Sequence, residues 1–159
     1  MSAQEYTLEE ISYSRKEDRR IIEAVLKSWF KDPKTLNFVD PRMTFTFKFK
    51  KWVNLSYSNS NTSTLLLKIG DWIIGYISLV KIENIGHLFH LYIDPSNRGN
   101  GLGKKLIHAI EDRGMNLGCD TFSLNVAPKN ENAIELYKCL GYKKTGQSGN
   151  LSIKMQKSV

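Results

Sequence analysis

The chain is poor in cysteine and proline, and it lacks any apolar run long enough to cross a bilayer. Its 159 residues include 2 cysteines and 4 prolines. Cys119 and Cys139 cannot build the disulfide framework of small secreted proteins, which favours free thiols in a reducing cytoplasm. The start of the chain has no basic segment followed by an apolar one, as a secretory signal would have. These absences predict a cytoplasmic protein that does not associate with membranes.

The charges are unbalanced but dispersed. Lys and Arg number 23 against 16 Asp and Glu, which gives a net charge of +7. The basic residues are scattered rather than gathered in one run, which disfavours nucleic acid as a partner and leaves a phosphate-rich cofactor open. The length and the 41% hydrophobic content suit one folded domain over residues 1–159.

An apolar run, a glycine-rich turn and an amphipathic segment follow one another after residue 87. The run Leu88–Ile93 predicts a buried strand, and Pro95 ends it. From Leu102 onward, apolar residues recur every four positions, which predicts a helix. The first amides of a helix carry partial positive charge, and glycines let a phosphate approach them. With Arg98 as a cationic fork beside the turn, the stretch predicts a phosphate or pyrophosphate site.

Spacing separates three phosphate-binding motifs. A Walker loop would place its first glycine on Arg98, and its Ser/Thr on Lys105. A dinucleotide fingerprint that starts at Gly99 would end on Lys104 instead of a glycine. The pattern that remains is Arg-x-x-Gly-x-Gly, formed by Arg98, Gly101 and Gly103. It resembles the coenzyme A pyrophosphate loop of the GNAT superfamily of N-acetyltransferases.

A second motif of the same superfamily follows the next predicted strand. Its pattern Asn-x-x-Ala-x-x-Leu-Tyr-x-x-x-Gly-Tyr is matched by Asn130, Ala133, Leu136, Tyr137, Gly141 and Tyr142. Two motifs in the right order are far more specific than one. The resemblance covers residues 65–145 well and residues 34–63 poorly.

The resemblance implies an α/β fold with a mixed, mostly antiparallel central sheet and helices on both faces, which agrees with the periodicity along the chain. A first strand, Glu5–Tyr13, is followed by a helix that Asp32-Pro33 is expected to end. Later strands are predicted at 65–69, 72–82, 88–93, 121–126, 142–145 and 151–156, with helices after residue 101 and at 130–140.

Residues 34–63 are ambiguous. Phe45, Phe47 and Phe49 alternate as in a strand, whereas Phe45, Phe49, Trp52 and Val53 fit one face of a helix. Residues 56–63 are interpreted as a polar loop. The aromatic group is more typical of a core than of a substrate pocket, but in the resembled family this region walls the acceptor site.

The resemblance also implies acetyl-CoA as co-substrate, without a metal. In that family the strand at 88–93 splays from the strand at 121–126, and the pantetheine arm pairs with backbone groups in the gap. The residues implied to bind the cofactor are Leu91, Tyr92, Ile93, Arg98, Gly99, Asn100, Gly101, Leu102, Gly103, Lys104, Asn130 and Tyr137.

Two residues are candidates for acid–base chemistry. By resemblance, Tyr137 lies near the thioester sulfur and would return a proton to the leaving thiolate. His87 stands where many family members carry a glutamate base, and Asn125 stands at the other glutamate position; His87 as an ordinary strand-end residue remains an alternative. His90, three residues on, is expected on the opposite face of the strand, so no zinc pair is predicted. Cys139 is interpreted as a small buried hydrophobe.

These features together favour an N-acetyltransferase that moves an acetyl group to a primary amine by direct attack in a ternary complex. The acceptor, a small molecule or a protein, is not identified, and homodimers are common among domains of this kind. The alternative is a non-catalytic CoA-binding regulatory module of the same fold. A nucleic-acid-binding protein is a third interpretation, supported by net charge alone.

Overall fold

The computed structural model describes residues 5–148 and 152–159 and places a seven-stranded sheet at the centre of the protein. The strands are β1 (Tyr6–Ile11), β2 (Thr62–Ile69), β3 (Trp72–Ile82), β4 (Ile85–Ile93), β5 (Thr121–Val126), β6 (Lys143–Ser148) and β7 (Ser152–Ser158). The helices are α1 (Lys16–Trp29), α2 (Pro33–Val39), α3 (Phe49–Ser56), α4 (Leu102–Asn116) and α5 (Glu131–Cys139).

The sheet has the order β1-β2-β3-β4-β5-β7-β6. Every neighbouring pair is antiparallel except β4 and β5, which run parallel because α4 crosses between them. One apolar cluster packs α4 and residues of α5 against the sheet, and a second packs α1, α2 and α3 against it. The predicted mixed, mostly antiparallel sheet with helices on both faces is therefore confirmed.

The segment that periodicity left ambiguous is largely helical. Asp32-Pro33 does not only end α1; it begins α2, because Asp32 Oδ1 accepts from the Thr35 amide at 2.8 Å and Pro33 occupies the first helical turn. Phe49 begins α3, so the helical alternative is right for that part of the aromatic group. Phe45 lies outside any regular element and is exposed.

The expected polar loop at 56–63 also needs correction. Tyr57 is buried, and β2 already begins at Thr62. The Ser and Asn residues around Tyr57 predict a loop, but the Tyr57 hydroxyl forms hydrogen bonds with residues that are distant in the sequence.

Two smaller expectations differ from the structure. Cys139 is exposed rather than buried. Of the predicted last strand, Leu151 lies outside the described residues, as do Gly149 and Asn150 of the preceding turn; β6 extends through Gly146, which was expected in that turn.

β4 contains a bulge near its centre. Tyr92 pairs with Tyr76 and Phe89 pairs with Ser78, so two residues of β4 oppose one residue of β3. His90 in this bulge has a φ of +59°, a left-handed conformation that is uncommon for a residue with a side chain. The bulge resets the alternation, and Phe89 and His90 both contact the cluster on the α1–α3 face. The expectation that His90 faces away from His87 is therefore wrong.

Candidate active site

β4 and β5 separate halfway along their length. Their parallel pairing runs from Ile85 with Thr121 to Leu88 with Leu124 and then stops, although both strands continue. A cavity lies at this point, bounded by Leu91 and Asn125 of the two strands and by Tyr137 of α5. The edge of β4 beyond Leu88 is therefore not paired with β5. Its backbone groups can accept an extended ligand that pairs with them as another strand would.

The turn after β4 leads directly into α4. Asp94 Oδ1 accepts from the Ser96 amide at 3.1 Å and holds a short 3₁₀ turn. Gly99 and Gly101 have φ values of +83° and +73°, and a Cβ on either would stand in open space. Gly101 is the N-cap of α4, and no side chain caps this helix. The first amides of α4, those of Leu102 to Lys104, are thus available to an anion.

The side chain of Arg98 reaches back over the end of β4. Its Nε donates to the Ile93 carbonyl oxygen at 2.8 Å, and its guanidinium lies 5.2 Å from the centre of the Tyr92 ring. These two contacts hold the cation between the strand end and the glycine turn. Asn100, in the same turn, donates from its side-chain amide to the Asn97 carbonyl oxygen at 3.2 Å.

Asn130 and Tyr137 both line the cavity from the α5 side. Asn130 caps α5, accepting from the Ala133 amide at 3.3 Å, so part of its side chain has a structural role. Burial raises the pKa of Tyr137 to about 12. The hydroxyl therefore stays protonated at neutral pH and can donate a proton within the cavity.

His87 lies at the paired end of β4, where its Nδ1 is 2.9 Å from Ser123 Oγ of β5. The side chain is partly buried, and it is not among the residues that line the cavity. Burial lowers the pKa of His87, and the positive charges of Arg42 and Lys154 lower it further. The imidazole is therefore neutral at pH 7, which a base requires.

A buried polar chain crosses from α2 to the β4 bulge. His90 Nε2 lies 2.8 Å from Asp40 Oδ2, and His90 Nδ1 lies 2.7 Å from the Tyr57 hydroxyl. Because a carboxylate can only accept, Nε2 carries the hydrogen and Nδ1 accepts from Tyr57. Arg42 closes the outer end with Nε at 3.0 Å from Asp40 Oδ1 and Nη2 at 2.9 Å from Oδ2.

The chain continues inward through hydroxyl groups. Tyr57 accepts from Tyr76, the Tyr76 and Tyr13 hydroxyls are 2.6 Å apart, and Trp52 Nε1 donates to Tyr13 at 3.0 Å. Since the Trp52 indole can only donate and the Asp40 carboxylate can only accept, all the donors can point toward Asp40. The network could not be predicted from the sequence, because residues that are hydrogen-bonded in it are separated by up to 63 positions along the chain. No local motif marks them.

The interpretation of the aromatic group as core is right for Phe47, Phe49 and Trp52, which are buried and do not line the cavity. Phe38 and Val39 of α2 do, together with Pro41, so the segment expected near the acceptor contributes different residues.

Neither a metal cluster nor a membrane-spanning helix is found over residues 5–148 and 152–159. No group of three or more His, Cys, Asp or Glu side chains is arranged to hold a metal ion there. Nor does any helix in those ranges have the length and apolar character needed to cross a membrane.

Comparison with known proteins gives consistent matches. The model of the acetyltransferase (GNAT) family matches residues 22–142. Thialysine N-epsilon-acetyltransferase of Mus musculus is 40% identical over 55 residues, which is 35% of this chain and 32% of that protein. N-acetyltransferase 8B of Homo sapiens is 38% identical over 61 residues, which is 38% of this chain and 27% of that protein.

Among solved structures, the PaiA N-acetyltransferase of Thermoplasma acidophilum in complex with coenzyme A superimposes with a TM-score of 0.71. The two chains are 21% identical, and the superposition covers 98% of this chain and 99% of the other, which shows a shared fold. The curated relatives are matched over less: this chain spans about half the length of one and about a third of others.

Proposed function

The chain belongs to the acetyltransferase (GNAT) family, and from this premise we propose that it is an N-acetyltransferase of the cytoplasm. It would transfer the acetyl group of acetyl-CoA to a primary amine by direct attack in a ternary complex. The observation that carries the proposal is that the unpaired edge of β4 leads through the glycine turn into the uncapped start of α4, while Tyr137 of α5 lines the cavity beside that edge.

The residues present fit the cofactor. The backbone of Leu91 and Ile93 would pair with the pantetheine arm along the β4 edge, with Tyr92 between them. Arg98 would contribute its charge, and the amides from Gly99 to Lys104 would bind the pyrophosphate at the start of α4. The amide of Asn130 would contact the arm from the α5 side. The coenzyme A bound to the Thermoplasma protein of the same fold supports coenzyme A as the ligand.

Acetyl-CoA supplies an activated acyl group on a thiol leaving group. The protein must then provide a neutral attacking amine and a proton for the departing sulfur. Tyr137 is suited to the second task because it is protonated and lines the cavity. His87 is our candidate for the first, through intervening water, because the imidazole lies beside the cavity rather than in it.

The acceptor is proposed to be an amine because the curated relatives are N-acetyltransferases, one of them named for the ε-nitrogen of thialysine. The competing function is a CoA-binding module without catalysis. The non-catalytic module is supported by the absence of a carboxylate at the two positions where a glutamate base is expected, which carry His87 and Asn125.

We expect Arg98→Glu to weaken acetyl-CoA binding about 10- to 100-fold, the range for losing a charged hydrogen-bond donor and opposing the phosphates with a carboxylate. Isothermal titration of the purified variants would measure this. Lys16→Glu makes the same charge change at an exposed position in the first turn of α1 and should bind like the parent protein.

Thiol release with a panel of primary amines then separates the two functions. Turnover with at least one amine supports the enzyme, whereas tight binding of acetyl-CoA without turnover of any amine would support the module. If the protein did not bind acetyl-CoA, both proposed functions, the enzyme and the binding module, would be wrong.

We expect His87→Gln to flatten the acid side of the pH profile of kcat/KM. A base acts when it has lost its proton, and the pKa of His87 is lowered from its usual value near 6.5 by burial and nearby cations. The parent profile should therefore fall only below about pH 6.5. His108→Gln, on the exposed side of α4, is the matched control. A profile of unchanged shape in His87→Gln would assign the base elsewhere.

A further inference from the structure

The wall of the cavity contains no carboxylate. All 16 acidic side chains of the chain lie in the part that the structure describes, since residues 1–4 and 149–151 include neither Asp nor Glu. The side chains that line the cavity are apolar, apart from the Tyr137 hydroxyl, the imidazole of His90, the amides of Asn125 and Asn130, and the hydroxyl of Ser152. A second ammonium group on the acceptor would therefore find no counter-ion there.

Asp40 contacts this wall through His90, and its charge is already balanced. Both of its oxygens receive hydrogen bonds from Arg42, at 3.0 and 2.9 Å, and one also receives the His90 Nε2 hydrogen. The carboxylate side chain is only 4% exposed. It cannot serve a cationic acceptor without breaking these bonds.

Two cations flank the same place. Lys154 of β7 lies opposite Asn125 of β5, and Ser152 lies two residues before Lys154 on the same strand. Asn125 and Ser152 both line the cavity, so the Lys154 side chain is on the same face of the sheet as these two residues. The Lys154 side chain is exposed, and no carboxylate among the described residues pairs with it. The Arg42 side chain is 55% exposed, but its guanidinium is already paired with Asp40.

Both cations influence one strand residue. Lys154 of β7 and Arg42, which follows α2, each lower the pKa of the His87 imidazole, after the larger effect of burial. The titratable and charged groups known to face His87 are these two cations, while Ser123 and Phe89 are its neutral neighbours. The region beside the splay thus contains no carboxylate and has the exposed Lys154 at its rim.

We propose that the acceptor is a small amine that also carries a carboxylate, with an apolar segment between the two groups. Lys154 binds the carboxylate. The apolar segment lies against Phe38 and Pro41, and the amine reaches the gap between β4 and β5. This inference rests on the proposed acetyl transfer and names the substrate class for the same site.

The test uses one series of acceptors of equal chain length: ω-amino acids, their amides and the corresponding diamines. We expect kcat/KM in thiol release to rank acid above amide above diamine, with about 5- to 10-fold between acid and amide, the scale of a partly exposed ion pair. In Lys154→Met the advantage of the acid over the amide should shrink to about twofold or less, chiefly through KM.

Lys144→Met is the matched control. It removes the same charge from the neighbouring strand β6, opposite Met155, whose side chain belongs to the core on the other face of the sheet. The preference for the acid should persist in this variant.

An equal or better rate with the amide or the diamine would overturn the proposal while leaving acetyl transfer intact. An equal loss of the acid preference in Lys154→Met and Lys144→Met would overturn it as well, because the effect would then not depend on the position of the charge. If no amine of any charge released thiol, the proposed function itself would fall, and this inference with it.

Discussion

Replacing Asp40 with alanine is expected to lower the free energy of unfolding by about 3 kcal/mol, because it breaks a buried charged cluster from one side. The His90 Nε2 hydrogen would lose its acceptor in a place where water cannot replace it, since the imidazole side chain is only 2% exposed. Arg42 would lose both of its bonds to the carboxylate. The link from the end of α2 to the β4 bulge would go with them.

Urea denaturation of the two purified proteins at pH 7 measures this loss. Asp112→Ala, which removes an exposed carboxylate from α4, is the matched control and should change stability little. Asp40→Asn keeps the shape and one acceptor oxygen, so its loss should be smaller than that of alanine. A loss below about 1 kcal/mol in Asp40→Ala would show that the cluster adds little to stability.

The same cluster makes stability depend on pH, and the two titrating groups act in the same direction. Burial lowers the pKa of His90, and the Asp40 carboxylate only partly offsets this. Below about pH 6.5 the unfolded chain therefore takes up a proton that the folded protein resists. Burial opposes ionisation of Asp40, but hydrogen bonds from His90 and Arg42 outweigh it and hold the pKa of Asp40 below its usual range.

Stability from Asp40 is thus present above about pH 4 and is lost as the pH falls below it. We expect the parent protein to lose stability first below about pH 6.5 and again below about pH 4, and the second loss to be smaller in Asp40→Ala. These comparisons need only unfolding midpoints in a series of buffers.

Replacing Tyr137 with phenylalanine is expected to lower kcat about 10- to 1000-fold while acetyl-CoA binds within about twofold of the parent. The substitution removes one hydroxyl and keeps the ring that packs on Tyr142 at 6.0 Å. Burial holds the pKa of Tyr137 at about 12, so the parent enzyme has this proton to give throughout the usual assay range. Thiol release and calorimetric binding measure the two quantities separately.

Tyr142→Phe is the control for this substitution. Its hydroxyl donates to Glu111 Oε2 at 2.7 Å and does not line the cavity, so its loss should reduce stability and leave turnover near the parent value. If Tyr137→Phe turned over as fast as the parent, the proton would have to come from water or another group.

Much of the fold could be predicted from sequence because its signals are local. β3 and β5 have the predicted bounds, and the Gly70 and Gly141 turns have the positive φ that glycine permits. Asp32-Pro33 shows the limit of such local signals, because Asp-Pro can end one helix or cap the next. Here it follows the end of α1, as predicted, and also caps α2, which was not predicted.

In the candidate site, too, the parts with local sequence signals could be predicted and the others could not. The candidate anion-binding turn and α5 could be predicted because each motif lies within about a dozen consecutive residues, and short-range geometry fixes what a glycine or a helix start can do. The sequence alone determined the family, the cofactor expected and Tyr137 as a candidate.

Only the tertiary structure decided where β4 leaves β5, which way His90 points and what Asp40 contacts. A bulge moves every following side chain to the other face, and its presence depends on the pairing of two strands rather than on either one. The bond between Asp40 and His90 joins groups 50 residues apart. A buried polar group can form hydrogen bonds only with other polar groups that the fold brings next to it. The spacing of residues along the chain does not indicate which groups these are.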